Sequence, residues 1–374
     1  MTLNCKSRAR GFSMVELLVA MAVGLVVVGA GTQLFQSAMK STMLVTEQAE
    51  MQQNVRTALN LVARDVSMAG SGLPSGGLAL PYGANSTPSH YACAPGPTCY
   101  LNAVNYPSGA IGRVVVSNYM YGIIPGPLDG MQIGGPAAIP ATNVTPDAIT
   151  SVYVDYSFPL NQYTISLNPA GTSLTATPPA VPPVGFPAIV SPTGIVVGDL
   201  ILLTNSTGSA IGEVSAVAAT GGGGGTITFN DGDPLNINQS GAASGNIAYI
   251  AANANAVTVA YRVLAVTYFV QVPAVAGQTP RLMRQVNGQV AIPVADNIIG
   301  LNATYDLCNS AVAGTCAGVS DPIHNVPSFS PNQIYKINIQ IMGQSVLTLG
   351  GKSQSMALAT SVSARNLSFK NRYQ

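Results

Sequence analysis

The sequence has no tryptophan, only 2 histidines and only 8% charged residues across 374 positions. Each scarcity removes a class of function. Globular domains usually carry about 25% Asp, Glu, Lys and Arg. A chain so poor in charge keeps itself in water with Ser, Thr, Asn, Gln and exposed backbone, a surface suited to an exported structural protein. The 15 basic and 14 acidic residues leave a formal net charge of +1. No basic stripe gathers a phosphate backbone, so nucleic acid is not an expected partner. With His90 and His324 as the whole histidine supply, general bases and metal ligands are thin.

Phosphate and metal motifs are missing as well. The glycines at 221–225 are followed by no Lys-Ser/Thr pair and read as flexible loop or linker rather than a phosphate cradle. The run Asn230-Asp231-Gly232-Asp233 lacks the spaced ligands and terminal Glu of a calcium loop. A tight turn is the favoured reading there, with calcium at Asp231 and Asp233 left open. Asp296, Asp306 and Asp321 stand apart from other chemistry and read as solvated surface. No catalytic residue, metal or cofactor is assigned, and an enzyme is not expected.

What the sequence does possess stands at its start. Lys6, Arg8 and Arg10 are the only charges in residues 1–11, and no charged side chain occurs in residues 17–39. A helix needs about 20 such residues to cross the hydrocarbon of a bilayer. The positive-inside rule holds the basic leader on the cytoplasmic side, with a span at about residues 14–36. A secretory signal would show a shorter apolar core with its cleavage site beyond it; here the small residue, Gly11, comes first. One acid, Glu16, lies at the membrane edge, where a carboxylate costs about 2.5 kcal/mol or more toward the centre unless it is paired. A cut after Gly11 frees an amine on Phe12, four residues earlier on the same helix face.

Gly11-Phe12-Ser13-Met14-Val15-Glu16, behind a basic leader and ahead of an apolar run, resembles the class III signal of type IV prepilins. The resemblance implies that a prepilin peptidase cuts between Gly11 and Phe12 and that Phe12 becomes N-methylated. It also implies that Glu16 engages the terminal amine of a neighbouring subunit during assembly. The partners it implies are other pilins and minor pilins, met through the N-terminal helix, the peptidase itself, and an inner-membrane pilus assembly platform. The implied location is the inner membrane before assembly, single-pass with a periplasmic head, and the pilus or cell surface afterwards.

Beyond Lys40, apolar side chains recur at Leu44, Met51, Val55, Leu59, Val62 and Val66, the spacing of one helix face. Glu47, Glu50, Gln52, Gln53, Arg56, Asn60, Arg64 and Asp65 are expected on the other faces. The helix is expected to end near Ala69, before Gly70-Ser71-Gly72-Leu73-Pro74. Gly24, Gly29 and Gly31 lie within it; close helix packing is the favoured reading and local unwinding the alternative. Residues 50–70, opening Glu50-Met51-Gln52-Gln53-Asn54-Val55-Arg56 and closing Ala69-Gly70, resemble the second half of the helix in PilW-type minor pilins. Val197-Gly198-Asp199-Leu200-Ile201-Leu202 and Thr360-Ser361-Val362-Ser363-Ala364-Arg365-Asn366-Leu367 extend that resemblance. Major pilins commonly carry a Pro within the span; this chain has none before Pro74.

After Ala69, short β-prone runs at 113–116, 151–156, 199–203, 226–229, 257–272 and 334–342 alternate with Gly, Pro, Ser and Asn. Residues 178–192 read as loop. The expected class is α+β: a long N-terminal helix, its first half transmembrane, packed against a large, mostly antiparallel β head. The expected organisation is a leader at 1–11, the helix at 12–69 and the head at 70–374. Loss of the leader removes Cys5 and leaves Cys93, Cys99, Cys308 and Cys316. In an oxidising compartment these close two small loops, Cys93 to Cys99 and Cys308 to Cys316, or cross-pair. Zinc with His90 and Cys93 is a weaker reading, because the spacing lacks a Cys-x-x-Cys pair. The function expected is a structural subunit of a type IV pilus, a PilW-like minor pilin in priming or at the tip. The alternatives are a type II secretion pseudopilin and a membrane-anchored adhesin or binding protein.

Overall fold

A computed structural model describes residues 12–74, 77–91, 118–126, 131–133, 146–253, 256–272, 279–307, 333–349 and 352–363. The chain divides into two units, Met1–Glu50 and Met51–Gln374. In chain order the described elements are α1 (Met14–Met68), β1 (Leu78–Ala79), β2 (Tyr119–Met120), β3 (Ile123–Gly126), β4 (Met131–Ile133) and β5 (Ala148–Asp155). Next come β6 (Thr164–Leu167), β7 (Ser173–Thr177), β8 (Leu200–Asn205), β9 (Gly208–Glu213), β10 (Ala216–Gly221), β11 (Gly224–Thr228) and α2 (Ile247–Ala251). The last are β12 (Val259–Val272), β13 (Arg281–Val286), β14 (Ile292–Asp296), β15 (Ile298–Leu307), β16 (Ile334–Leu349) and β17 (Lys352–Ser363). The class is therefore α+β, a long apolar helix followed by a large antiparallel β region. The run expected at 113–116 lies outside the described residues.

β12 organises the large sheet. Its first half pairs with β8, its middle with β5, and its last residues with β13 and, in parallel, β4. Side chains alternate across a strand, and along β12 both faces are buried: Val266, Tyr268 and Val270 enter one core, Val263, Ala265 and Phe269 another. Across the β5–β12 pair, Thr150 and Thr267 lie opposite and their hydroxyls bond at 2.7 Å. β10, β11, β7 and β6 form a separate four-stranded sheet over a third core.

The glycines at 221–225 correct the expectation of a flexible linker. Gly221 pairs with Gly224, and Gly222 and Gly223 take φ of 60° and 87°, so they form the two-residue turn of the β10–β11 hairpin. Such a turn requires positive φ at both centres, which glycine adopts without steric cost.

β15, β16 and β17 form a three-stranded sheet, and it carries the second half of α1. Ile337, Ile339 and Ile341 alternate with Lys336, Asn338 and Gln340 along β16, so one face is wholly apolar and fully buried. Met51, Val55, Ala58, Leu59, Val62 and Val66 join these isoleucines in one cluster. The approach is close at Gly343. A Cβ there would stand 2.5 Å from Val55 Cγ2 and 3.2 Å from Met51 Cγ, so only glycine lets the helix seat at this level. After Met68, Gly70 and Gly72 adopt φ of 78° and 73°, and Gly70 N–H bonds the Val152 carbonyl, tying the end of the helix to β5.

Candidate functional site

The first described residues build a capping box. Ser13 N–H donates to Glu16 Oε2 at 3.0 Å, and Glu16 N–H donates to Ser13 Oγ at 3.2 Å. Leu17 N–H then closes the first turn on the Ser13 carbonyl. The four leading N–H groups of a helix have no partner within it, and this reciprocal pair satisfies two donors at once. It also places a carboxylate at the positive end of the helix dipole. The Ser-x-x-Glu spacing carries this signal in the sequence. Phe12 itself is 78% exposed. Gly11, Lys6, Arg8 and Arg10 lie outside the described residues.

From Met14 to Phe35 the side chains lie open, with Leu18 at 65%, Leu25 at 75% and Leu34 at 73% exposure. This helix is long and apolar enough to cross a membrane by length and composition. Three of its threonine hydroxyls bond the helix backbone: Thr32 donates to the Gly29 carbonyl, Thr42 to Ala38 and Thr46 to Thr42. For Thr32, inside the apolar stretch, that bond suits an apolar medium, where an unpaired donor costs several kcal/mol, about the same as any buried orphan. Gly24, Gly29 and Gly31 do not interrupt the α-helix, and a Cβ at any of them would meet nothing within 4 Å. They are open notches on the helix surface.

Within the head, the helix is fixed by a polar group that sequence periodicity misplaced. Asp65, expected on a solvent face, is 6% exposed. Its Oδ2 accepts from Tyr268 Oη at 2.6 Å and from Arg284 Nε at 2.9 Å, and its Oδ1 lies 3.5 Å from Tyr153 Oη. Burial first, and then the Asp65 charge, pushes the Tyr153 phenol up to about 12 and raises Tyr268 as well. Both therefore stay protonated donors. Asp306, expected in solvent, is another correction: it is 5% exposed and pairs with Lys336 at 3.4 Å across the β15–β16 ladder. Asp296 is exposed, and Asp321 lies outside the described residues.

Asp231 accepts from the N–H and hydroxyl of Ser240, and Asp233 from the N–H groups of Ile237 and Asn238. Their oxygens thus brace the main chain of the loop they begin. Glu213, 1% exposed, joins them beside a cavity of about 350 Å³ and accepts from Leu235 N–H at 3.1 Å. Burial, then the hydrogen bond and charge of Asp233, pushes the Glu213 carboxyl up to about 9. Among the described residues no group of three or more His, Cys, Asp and Glu could hold a metal ion. Burial lowers the pKa of His90, and its Nδ1 has no partner in the described region. Cys93, Cys99, Cys308, Cys316 and His324 lie outside the described residues.

Residues 6–32 match the family described as "Prokaryotic N-terminal methylation motif". A stretch of 62 residues is 39% identical to the pilin-like protein PilA3 of Thermus thermophilus, covering 17% of this chain and 27% of that relative. The chain thus spans about a quarter of the length of the curated relative it matches. No solved structure matches it. The motif and the pilin-like relative support the type IV pilin family and a structural subunit of a pilus or pseudopilus. The motif and the apolar helix support membrane anchoring.

Proposed function

We propose that the chain is a PilW-like minor pilin, a structural subunit that primes a type IV pilus or occupies its tip. The observation that carries the pilin reading is the junction itself: a methylation motif at 6–32 covers the start of an apolar helix whose first turn holds a single carboxylate, Glu16; the PilW-like part rests on the resemblance at residues 50–70. The peptidase cuts between Gly11 and Phe12, Phe12 becomes N-methylated, and its new amine gives the filament a cation at each helix start. Before the cut, Glu16 is held by Ser13 N–H. In the filament, the amine of a neighbouring subunit offers Glu16 a partner of opposite charge in place of a backbone dipole, which adds Coulombic attraction in a poorly screened apolar setting. Docking thereby gives a counter-charge to a carboxylate that the capping box satisfies by hydrogen bonding but does not neutralise at the lipid boundary. The head is periplasmic before assembly and surface-exposed after it, and its role is structural.

The test is made in a strain with a prepilin peptidase but without the wild-type copy. Mass spectrometry is expected to find a mature chain starting at N-methyl-Phe12, and Gly11→Ala is expected to accumulate as precursor. Glu16→Gln is expected to insert and be cut normally yet fail to cross-link to other pilins. A mature N-terminus beyond residue 30, or unchanged incorporation of Glu16→Gln, overturns the reading.

A further inference from the structure

β17 is an edge. It pairs with β16 on one side, and among the described residues no strand lies on the other. Along residues 355–363 the ladder to β16 is regular, its only register shift falling between Gln344 and Thr348. The inner face of the sheet is sealed at β16 and open one strand further out. Ile337 and Ile341 are fully buried, whereas their β17 neighbours Val362 and Leu358 pack on the same core and stay partly exposed. Met356 does the same. The opposite row of β17 is small and neutral: Ser355, Ala357, Ala359, Ser361 and Ser363.

Proteins normally blunt such edges with Lys, Pro, bulges or short strands. The edge strand of the large sheet follows that rule. β14 carries Pro293 and Asp296 and shifts register against β13. Residues 353–363 contain neither charge nor proline. An antiparallel strand leaves alternate N–H and C=O groups pointing outward from an edge, and here they flank an apolar row that is only half covered. Main-chain groups call for an extended segment, the half-covered row calls for apolar side chains at every second position, and the absence of charge calls for a neutral one.

We infer that β17 is a docking edge that accepts a neutral, alternately apolar strand from a neighbouring subunit. The source of that strand rests on the filament reading above, where a neighbour is held at high effective concentration; the ability of the edge to accept a strand does not.

The probe is a fluorescent synthetic peptide with the sequence of residues 353–363, itself neutral and alternating, added to the full chain in detergent. Saturable anisotropy is expected, with slowed hydrogen–deuterium exchange at residues 355–363. Thr360→Lys puts a charge on the inner row and is expected to weaken binding about tenfold or more. Ala359→Lys puts the same charge on the outer row and is expected to keep it. No binding, protection at another strand, or equal loss in both variants overturns the edge. In cells, Thr360→Lys is expected to be cut normally but to incorporate poorly, while Ala359→Lys incorporates. If the peptide binds yet Thr360→Lys incorporates normally, the neighbouring subunit is not the source. The Glu16→Gln result decides the filament reading separately.

Discussion

Removing the Asp65 carboxylate is expected to loosen the helix from the head. In Asp65→Ala the Tyr268 hydroxyl loses its 2.6 Å acceptor and Arg284 loses its ion-pair partner at 2.9 Å. Breaking a buried ion pair from one side costs about 3–5 kcal/mol, because the remaining charge has no compensation. The Arg284 side chain is 21% exposed, against 8% for Asp65, so the guanidinium can recover some water and the lower end, about 3 kcal/mol, applies. Asp65→Asn keeps an acceptor for Tyr268 and loses only the charge, so about 2 kcal/mol is expected. A large domain shifts its Tm by about 2 °C per kcal/mol, giving a fall of about 6 °C for the alanine variant. The assay is near-UV circular dichroism of the full chain, which reads tyrosine packing rather than the exposed helix. A cycle with Arg284→Met is expected to return a coupling of about 1–3 kcal/mol, since with both side chains gone no charge is left unpaired and only the Tyr268 hydroxyl lacks its acceptor. The coupling should persist in 1 M salt, on the order of the highest screening strengths, because buried pairs are little screened. A Tm unchanged in Asp65→Ala, or a coupling abolished by salt, refutes the assignment of Asp65 as the buried anchor.

Gly343→Ala drives a methyl group into Val55 and is expected to cost about 1–3 kcal/mol; in thermal melts, Val55→Ala should partly rescue it, and simple additivity would count against the contact. Glu213 binds its proton more tightly in the folded head, at about 9 against an ordinary 4.5, so its stabilising contribution is complete below the lower value and drains as pH rises through the upper. Melts across that window should show wild type losing ground to Glu213→Gln; parallel curves would show that the carboxyl is not held protonated. Non-reducing peptide mapping of exported protein is expected to join Cys93 to Cys99 and Cys308 to Cys316, and free thiols or a bound zinc ion would contradict it.

Much of the architecture was written along the chain. The 17–39 stretch declares a possible span by its lack of charge, and the steps from Met51 to Val66 declare the helix face that enters the core. The alternation along β16 declares a half-buried strand. The Ser13-x-x-Glu16 cap was equally legible, since its partners are three residues apart. These signals are local: periodicity and charge act between neighbours in sequence, so no knowledge of distant residues is needed to read them.

Asp65 shows where that ends. By sequence it is one more acid in the polar company of Arg64, and periodicity sends such residues to solvent. It is buried because Arg284, 219 residues later, and Tyr268 bring a charge and a hydroxyl to it. Gly343 is similarly mute until α1 lies on it, and Glu213 holds its proton to higher pH only once folding buries it and then brings Asp233 of the loop after β11 against it. The side of β17 that no strand covers among the described residues is likewise a property of strand order, which composition does not encode. The sequence alone determined the apolar helix and the alternating strands, because hydrophobic period and charge are one-dimensional quantities. The tertiary structure decided which polar groups are buried, which glycine admits the helix and which edge stays open, because each depends on what a distant part of the chain places beside it.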